Sequence, residues 1–313
     1  MAVAAPQVGS RVPRKKRRSG LSERRLAGLM VSPSILLIAL VAAYPIGYAV
    51  WLSLNEYSVR TPGLSRFAGL RNYEAAITSS DWQGALTTTF AFTGLSVFFE
   101  LVIGLGMAMI MHSAFKGRGL LRTVVLVPYA ILTVVTAITW QTIFNPELGF
   151  VTTTLSSLGL PGADTVWLGE RGWALAVFVI ADVWKTAPFM ALLLLAGLQV
   201  ISDEIYDAAK VDGATPWQRF TRVTLPLLRP AILVALIFRT LDALRVFDLP
   251  FILTRGANGT NTLSLEAYTQ FNQNGILGLG AAMSVLTFVI VMLVSFVYIR
   301  FIGGSMRGMT EDR

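Results

Sequence analysis

The chain has 313 residues, of which 54% are hydrophobic and only 14% are charged, and its formal net charge is +8. This composition, with a mean hydropathy of +0.62, is typical of a membrane protein and argues against a soluble globular domain. The absence of cysteine excludes a disulfide framework and thiolate metal sites, and a single histidine, His112, does not favour a His-ligated metal centre.

The N-terminal residues 1–26 form a basic segment that precedes the first long apolar stretch. They carry eight Lys or Arg, including the run from Arg14 to Arg18. Such a tail is typical of the cytoplasmic side of a membrane protein, as a disordered topology signal or in contact with anionic headgroups, and does not indicate nucleic acid. Residues 27–54 are too long for a signal-peptide core and predict a first transmembrane helix, with kinks at Pro33 and Pro45.

Five further apolar segments complete a prediction of six transmembrane helices. They run approximately from Gly84 to Met111, Leu120 to Phe144, Trp173 to Val200, Leu227 to Leu253 and Leu277 to Ile302. When Lys and Arg are sorted by alternating sides, most lie on the side of the N-terminus, which places both termini in the cytoplasm. We therefore predict a basic tail over residues 1–26, a six-helix transmembrane domain over 27–303 and a second cytoplasmic tail over 304–313.

Seven ionisable residues fall inside these predicted helices. They are Glu100, Asp182, Lys185, Arg239, Asp242, Arg245 and Asp248. Charges at membrane depth need partners or water, and the spacings from 182 to 185 and from 239 through 242 and 245 to 248 join helical neighbours. Two interpretations stay open at this point: ion ladders that stabilise the bundle, or the lining of a polar pathway.

A charged loop over residues 202–226 separates the fourth and fifth predicted helices and must lie in water. Ser202 is placed to cap a first short helix, Gly213 to end it, and Thr215 with Pro216 to start a second, which Pro226 should end. The apolar side chains of this helix-turn-helix are too few for either helix to bury alone: Ile205, Ala208, Ala209, Trp217 and Phe220. A partner should cover them, although a hairpin lying on the membrane surface would show the same pattern.

The same loop resembles the cytoplasmic loop of binding-protein-dependent ABC importer permeases. That family has EAA, three residues, Gly, nine residues and then IxLP; this chain has Asp207, Ala208 and Ala209, then Gly213, then Val223 to Pro226. The resemblance implies a coupling helix that docks on a separate ATPase subunit. The residues it assigns to coupling are Asp207, Ala208, Ala209, Asp212, Gly213, Trp217, Phe220 and Pro226.

Two loops on the other side of the membrane are also informative. Residues 67–73 are similar to an FxGLxNY element that is common in sugar-importer permeases. Residues 145–172 are rich in Gly, Pro, Ser and Thr and form the longest of these loops, which suits either an external partner or a plain connector.

The segment from Trp184 to Pro188 is similar to the larger permease subunit of the maltose importer. With the shared Trp and Pro in register, that resemblance implies sugar contacts at Asp182, Lys185, Thr186 and Phe189. The next helix resembles the same family through Phe247, Leu253 and Thr254, which implies further contacts at Arg239, Asp242 and Val246. Their offsets place each group on one face of its helix, so both groups can line one cavity. Charged hydrogen-bonding groups with one aromatic face suit a polyhydroxylated ligand.

Taken together, the residues and the resemblance predict an all-α membrane protein with six transmembrane helices and the type I ABC importer permease fold, in a bacterial plasma (inner) membrane. Its implied partners are a second permease in a heterodimer, two ATP-binding subunits, an extracytoplasmic solute-binding protein, a sugar and membrane lipid. The chain has no Walker-type glycine loop, so ATP and Mg²⁺ belong to the partner ATPase and no catalytic residue, cofactor or metal is predicted here. A disaccharide is the predicted cargo, with trehalose as the leading candidate.

Three alternatives remain from the sequence. A permease for another solute such as glycerol phosphate would use Lys185 and Arg239 to attract the anion. A polytopic membrane enzyme would need a nucleophile and base or a metal cluster, but the chain has no HExxH and no GxSxG. A standalone secondary transporter should show two related halves, which the sequence does not.

Overall fold

The computed structural model describes residues 23–61, 63, 65–113 and 117–310, which fold almost entirely as helices. The helices are α1 (Glu23–Ser53), α2 (Arg71–Thr78), α3 (Ser80–His112), α4 (Arg118–Ala130), α5 (Thr133–Ile143), α6 (Phe150–Ser157), α7 (Arg171–Leu198), α8 (Asp203–Val211), α9 (Pro216–Arg219), α10 (Leu225–Ala243), α11 (Asp248–Leu253), α12 (Leu263–Tyr268) and α13 (Leu277–Thr310). Two short strands, β1 (Asn55–Glu56) and β2 (Arg66–Phe67), form the sheet found in these residues. The chain divides into two compact units, residues 1–48 and 49–313.

In the first unit, the described residues belong to α1. The helix is apolar on every side, which is typical of a segment surrounded by lipid. It passes through Pro33 and Pro45 without a break. Residues 1–22, the greater part of the predicted basic tail, lie outside the described residues.

In the second unit, the described residues between 54 and 72 form a small hairpin around β1 and β2, which pair antiparallel with Asn55 opposite Phe67. The Asn72 amide donates to the carbonyl oxygens of Ser53 at 2.8 Å and of Asn55 at 2.9 Å, and so closes the hairpin. The start of α13 packs against it, because a Cβ on Gly278 would lie 2.2 Å from the Asn55 oxygen. The residues of the predicted FxGLxNY element therefore form a structural clasp.

The core of the second unit is built on α3 and α7, which pack along their length. Gly104 on α3 allows a close approach, since a Cβ there would lie 2.8 Å from Met190 Cγ on α7. The helix α10 joins α7 in the same way at Gly197, where a Cβ would lie 2.3 Å from Ala231 Cβ. Buried apolar side chains such as Phe92, Phe178 and Leu194 fill the space between the helices.

Two of the predicted transmembrane helices are broken. The predicted segment from Leu120 to Phe144 is instead the pair α4 and α5, bent by 87°. Ile131 and Leu132 have extended backbone there, and Pro128 just before them removes one helical N–H. The predicted segment from Leu227 to Leu253 likewise ends at Ala243 and resumes at Asp248.

Four of the helices in the described residues are long and apolar enough to cross a membrane, namely α1, α3, α7 and α13. The bent pair α4 and α5 would be a fifth. The helix α10, which corresponds to the fifth predicted transmembrane helix, carries Arg229, Arg239 and Asp242. Of these, Arg239 and Asp242 lie at the junction that forms the candidate site.

Candidate functional site

The side chain of Arg239 lies at the centre of a buried ion cluster where α3, α7 and α10 meet. Its Nε donates to Glu100 Oε2 at 2.5 Å, and its terminal nitrogens donate to Asp182 and to Asp242 Oδ2, the latter at 2.8 Å. Arg239 and Glu100 are only 3% and 0% exposed. The attraction between the buried guanidinium and the buried carboxylates offsets the large free-energy cost of removing each charge from water.

Two further polar side chains of α7 surround the cluster. The hydroxyl of Thr186 lies 2.5 Å from Glu100 Oε1 and 2.6 Å from the Asp182 carbonyl oxygen, and it donates to one of them. Lys185 Nζ donates to Thr133 Oγ1 at 2.5 Å, where α5 begins after the bend. Lys185 therefore bonds to Thr133 and not to Asp182, the partner that the ladder interpretation predicted.

The ladder interpretation is confirmed for one pair and wrong for the others. Arg239 and Asp242 pair at the predicted spacing of three residues. In the described part of the chain, Arg245 forms no salt bridge and instead donates from Nε to the Leu241 carbonyl oxygen at 3.0 Å. Because α10 ends at Ala243, residues 245 and 248 do not share the helix that their spacing required.

A small cavity of about 150 Å³ opens beside the ion cluster. It is lined by six of the seven predicted pathway residues, Asp182, Lys185, Thr186, Arg239, Asp242 and Val246, together with Thr133, Arg245, Phe247, Asp248 and Leu249. The seventh, Phe189, lies elsewhere and stacks on Tyr129 with ring centroids 5.3 Å apart. We call this space the ion-cluster cavity.

The ion-cluster cavity holds three acidic and three basic side chains, so its formal charge is balanced. Asp242 is the most accessible of the Arg239 partners, with 69% of its side chain exposed. Such a cavity offers donors and acceptors to a neutral polar ligand without attracting either sign of charge strongly.

Two members of the site carried little sequence signal for this role. Glu100 stood out as a lone carboxylate in an apolar helix, but its pairing with Arg239 joins residues 139 positions apart. Thr133 had no signal at all, because it reaches the site only through the bend between α4 and α5.

The segment predicted to couple to an ATPase is α8, α9 and the π-helical turn Phe220–Thr224. Neither α8 nor α9 buries a residue. Trp217 is 71% exposed and packs on Phe220 with ring centroids 5.6 Å apart, and Ile205 is also exposed. An unburied apolar face on two short helices is typical of a docking surface.

The turn at Gly213 has a specific hydrogen-bonding pattern. Gly213 has φ +77°, its N–H donates to the Lys210 carbonyl at 3.0 Å, and the Ala214 N–H donates to the Ala209 carbonyl at 2.9 Å. This is the Schellman motif, which requires a left-handed residue at that position. The motif explains why Gly follows Ala209 at this spacing.

The start of α9 is confirmed as predicted, the cap of α8 is confirmed in position only, and the predicted end at Pro226 is wrong. Thr215 and Gln218 form a reciprocal capping box with Pro216 at the first helical position. Ser202 occupies the N-cap of α8, but its side chain forms no cap hydrogen bond. Pro226 does not end the segment, because α9 continues through the π turn into α10 and the helical backbone runs on past Pro226.

Comparisons with known proteins agree with these features. Residues 100–307 match the family model described as binding-protein-dependent transport system inner membrane component. The chain is 44% identical to the trehalose transport system permease protein SugA of Mycobacterium tuberculosis, over 93% of this chain and 92% of that protein. It is 42% identical to the trehalose/maltose transport system permease protein MalF of Thermococcus litoralis, over 89% of this chain and 94% of that protein.

The fold also matches a solved structure. The crystal structure of a bacterial alginate ABC transporter, in complex with alginate pentasaccharide-bound periplasmic protein, contains a chain that superposes with a TM-score of 0.76. The two chains are 24% identical, and the match covers 88% of this chain and 92% of that one. With its several apolar helices, the chain is a multi-pass membrane protein. It belongs to the family of binding-protein-dependent transport system inner membrane components.

Proposed function

We propose that the chain is one permease of an ATP-driven importer that carries a disaccharide into the cell, with trehalose as the leading candidate. The observation that carries the proposal is the similarity, over nine-tenths of the chain, to two permeases whose names include trehalose. The alternating-access cycle would expose the ion-cluster cavity to each side of the membrane in turn.

The chemistry of the ion-cluster cavity favours a neutral sugar over glycerol phosphate. Arg239, which was expected to attract a phosphate, already binds three carboxylates. Lys185 and Arg245 are the remaining cations of the lining, and Asp248 is its remaining acidic residue. With Glu100 included, the site has four acidic and three basic side chains. A phosphate would meet no net positive charge there, whereas sugar hydroxyls could use Lys185 and Asp242 as donor and acceptor.

We further propose six transmembrane helices with both termini in the cytoplasm and a transmembrane domain over residues 27–303. In this arrangement the coupling segment faces the cytoplasm, in keeping with the basic residues on that side. Arg239 then lies about 20 Å along α10 from Leu225, at about 1.5 Å per residue, which is well inside the bilayer. One continuous helical path would thus join the docking surface to the site.

The exposed face of α8 and α9 is the proposed contact with one of two ATP-binding subunits, which hold ATP and Mg²⁺. ATP would close the ATPase pair and move the coupling segment as a rigid element. Asp207, Ala208, Ala209 and Asp212 belong to the proposed docking surface, and Gly213 shapes it. A second permease and an extracytoplasmic solute-binding protein complete the proposed complex.

The test is reconstitution of the full complex in proteoliposomes with its binding protein. We expect trehalose-loaded binding protein to stimulate ATP hydrolysis and radiolabelled trehalose to accumulate inside, with glycerol 3-phosphate neither accumulating nor competing. A complex with ATPase subunits that cannot hydrolyse ATP is the matched control. Uptake without ATP, or competition by glycerol 3-phosphate but not by trehalose, would overturn the proposal.

A further inference from the structure

A second cavity adjoins the ion-cluster cavity on the side of the break between α10 and α11. It has a volume of about 660 Å³ and shares Arg245 and Phe247 with its smaller neighbour. The helix α12, the π-helical turn Thr269–Gln273 and α13 form its other walls. We call it the aromatic cavity.

The volumes of the two cavities decide what each can hold. At about 150 Å³, the ion-cluster cavity has room for only about five water molecules, at roughly 30 Å³ each. Small-molecule sites usually enclose about 300 to 1,000 Å³, and the aromatic cavity falls within that range. A two-ring ligand that reaches the ion-cluster cavity therefore needs the adjoining space as well.

Aromatic rings form one side of the aromatic cavity. Phe247 stacks on Phe251 at 5.2 Å between centroids, and Tyr268 meets both rings edge-on at 5.1 and 5.5 Å. This contact network holds Phe247 and Tyr268 in fixed positions on the cavity wall, close to Phe271. Fixed aromatic faces offer a flat apolar surface to the C–H face of a sugar ring.

Polar groups without partners converge on the same cavity. The Tyr268 hydroxyl, the Ser264 hydroxyl and the Asn272 amide make no hydrogen bond within the described residues, although all three line the cavity. The neighbouring amides behave differently, since Gln270 donates to Glu266 Oε1 at 2.7 Å and Asn274 donates to Gln270 at 3.0 Å. Within the described residues, Asn272 and Gln273 are the amides of this turn that make no side-chain hydrogen bond, and Asn272 is the one of the two that lines the cavity.

The backbone around the cavity is irregular on two sides. The interruption between Ala243 and Asp248 and the π turn Thr269–Gln273 both face it. Broken helices and π turns within membrane proteins are tolerated where they line a cavity, and both are frequent at binding sites.

We propose that the aromatic cavity is a second sugar subsite, which holds one ring of the disaccharide while the other ring occupies the ion-cluster cavity. The inference rests on the proposed function and adds the residues Tyr268, Phe271 and Asn272 to the binding surface. Tyr268 and Phe271 supply the stacking faces, and Asn272 supplies a donor and an acceptor to the ring hydroxyls.

Cysteine labelling tests the subsite directly, because the chain contains no cysteine of its own. We would introduce Asn272→Cys and, as a matched control, Gln273→Cys, which is also exposed on the same turn but does not line the cavity. Each complex is reconstituted with its binding protein and ATP, and modification of this chain by a small methanethiosulfonate is followed by mass spectrometry. We expect trehalose to slow labelling at position 272 at least threefold and to leave position 273 unchanged.

Uptake kinetics provide a second measurement. Phe271→Ala should raise the KM for trehalose about two- to tenfold, the range expected for losing one aromatic contact. Phe296→Ala, which removes an exposed ring of α13 outside both cavities, is the control and should leave KM unchanged.

The outcomes separate this inference from the proposed function. If the complex accumulates trehalose while labelling at position 272 is the same with and without sugar, the second subsite is refuted and the permease assignment stands. If position 272 is unreactive in the assembled complex under every condition, another subunit covers the cavity and the subsite is again refuted. If the unmodified complex accumulates no trehalose, the proposed cargo itself is wrong.

Discussion

Replacing Gly213 should uncouple ATP hydrolysis from transport without removing the permease from the membrane. The residue has φ +77°, and a Cβ added there would meet nothing within 4 Å, so the cost of substitution lies in the backbone alone. Alanine in this left-handed conformation costs roughly 1–2 kcal/mol, and asparagine, which tolerates it, costs less. Proline cannot adopt it at all, because its φ is held near −65°.

Proline at position 213 also removes a hydrogen-bond donor. The Gly213 N–H bond to Lys210 and the Ala214 bond to Ala209 would both be lost, at about 1 kcal/mol each. Because α8 and α9 bury no residue, this damage stays local and the folded bundle should keep its stability. The turn between the two docking helices would instead lose its defined angle.

The assay is the ratio of trehalose accumulated to ATP hydrolysed in the reconstituted complex. We expect this ratio to fall in the order Gly, Asn, Ala, Pro at position 213. Gly159→Pro is a matched control, since Gly159 has φ +62° and forms the same motif after α6, with Gly159 donating to Ser156 and Leu160 to Leu155. An unchanged ratio for Gly213→Pro, or an equal fall for Gly159→Pro, would contradict a specific role of the Gly213 turn in coupling.

Three further substitutions test the packing and the site. Arg239→Leu should destabilise the purified permease by about 3–5 kcal/mol, because it leaves buried carboxylates unpaired. Thermal unfolding in detergent should show a large fall in Tm for this variant and no such fall for the control Arg245→Leu, since Arg245 is exposed. Asp242→Ala should lower trehalose uptake while the complex still co-purifies intact. The Asp242 side chain is 69% exposed, so its ion pair with Arg239 contributes at most about 1 kcal/mol to stability. Loss of assembly would instead assign Asp242 a structural role. Gly197→Ala should cost about 1–3 kcal/mol in thermal stability through its collision with Ala231, whereas Gly94→Ala, with open space around it, should cost almost nothing, and equal effects would contradict the close packing of α7 on α10.

The apolar segments and the coupling loop were predictable because each is encoded locally. A run of about 28 apolar residues has few alternatives to a membrane helix, and the predicted start of the first, at residue 27, lies within a few residues of Glu23. Gly213 and the pair Thr215 and Pro216 mark a helix end and a helix start by their own backbone preferences. These predictions needed no knowledge of distant contacts.

The breaks within helices were not predictable in the same way. Hydropathy is unchanged across Ile131 and Leu132, so a composition window reads α4 and α5 as one segment. Proline is ambiguous as well: Pro33 and Pro45 lie inside an unbroken helix, and Pro226 begins α10 where an ending was expected. Tertiary packing decides between these outcomes.

The ion cluster was predictable from the sequence only in part. The charges of Glu100, Asp182, Arg239 and Asp242 were evident, since each is costly at membrane depth. Helical spacing suggested partners within one helix, but the buried pairs join three helices across 57 and 139 residues. The choice between local and distant partners depends on how α3, α7 and α10 pack, and periodicity within one segment contains no such information.

The clasp at residues 54–72 restricts where this permease can bend. The Tyr57 carbonyl accepts a hydrogen bond from the Gly278 N–H at 3.1 Å, and the Gly275 carbonyl accepts one from the Val59 N–H at 2.9 Å. Gly278 also packs closely against Asn55, so the first turn of α13 and the hairpin form a single rigid unit. Bending during a transport cycle is thereby left to other breaks in the helices, and the interruption between α10 and α11 is one that borders both cavities.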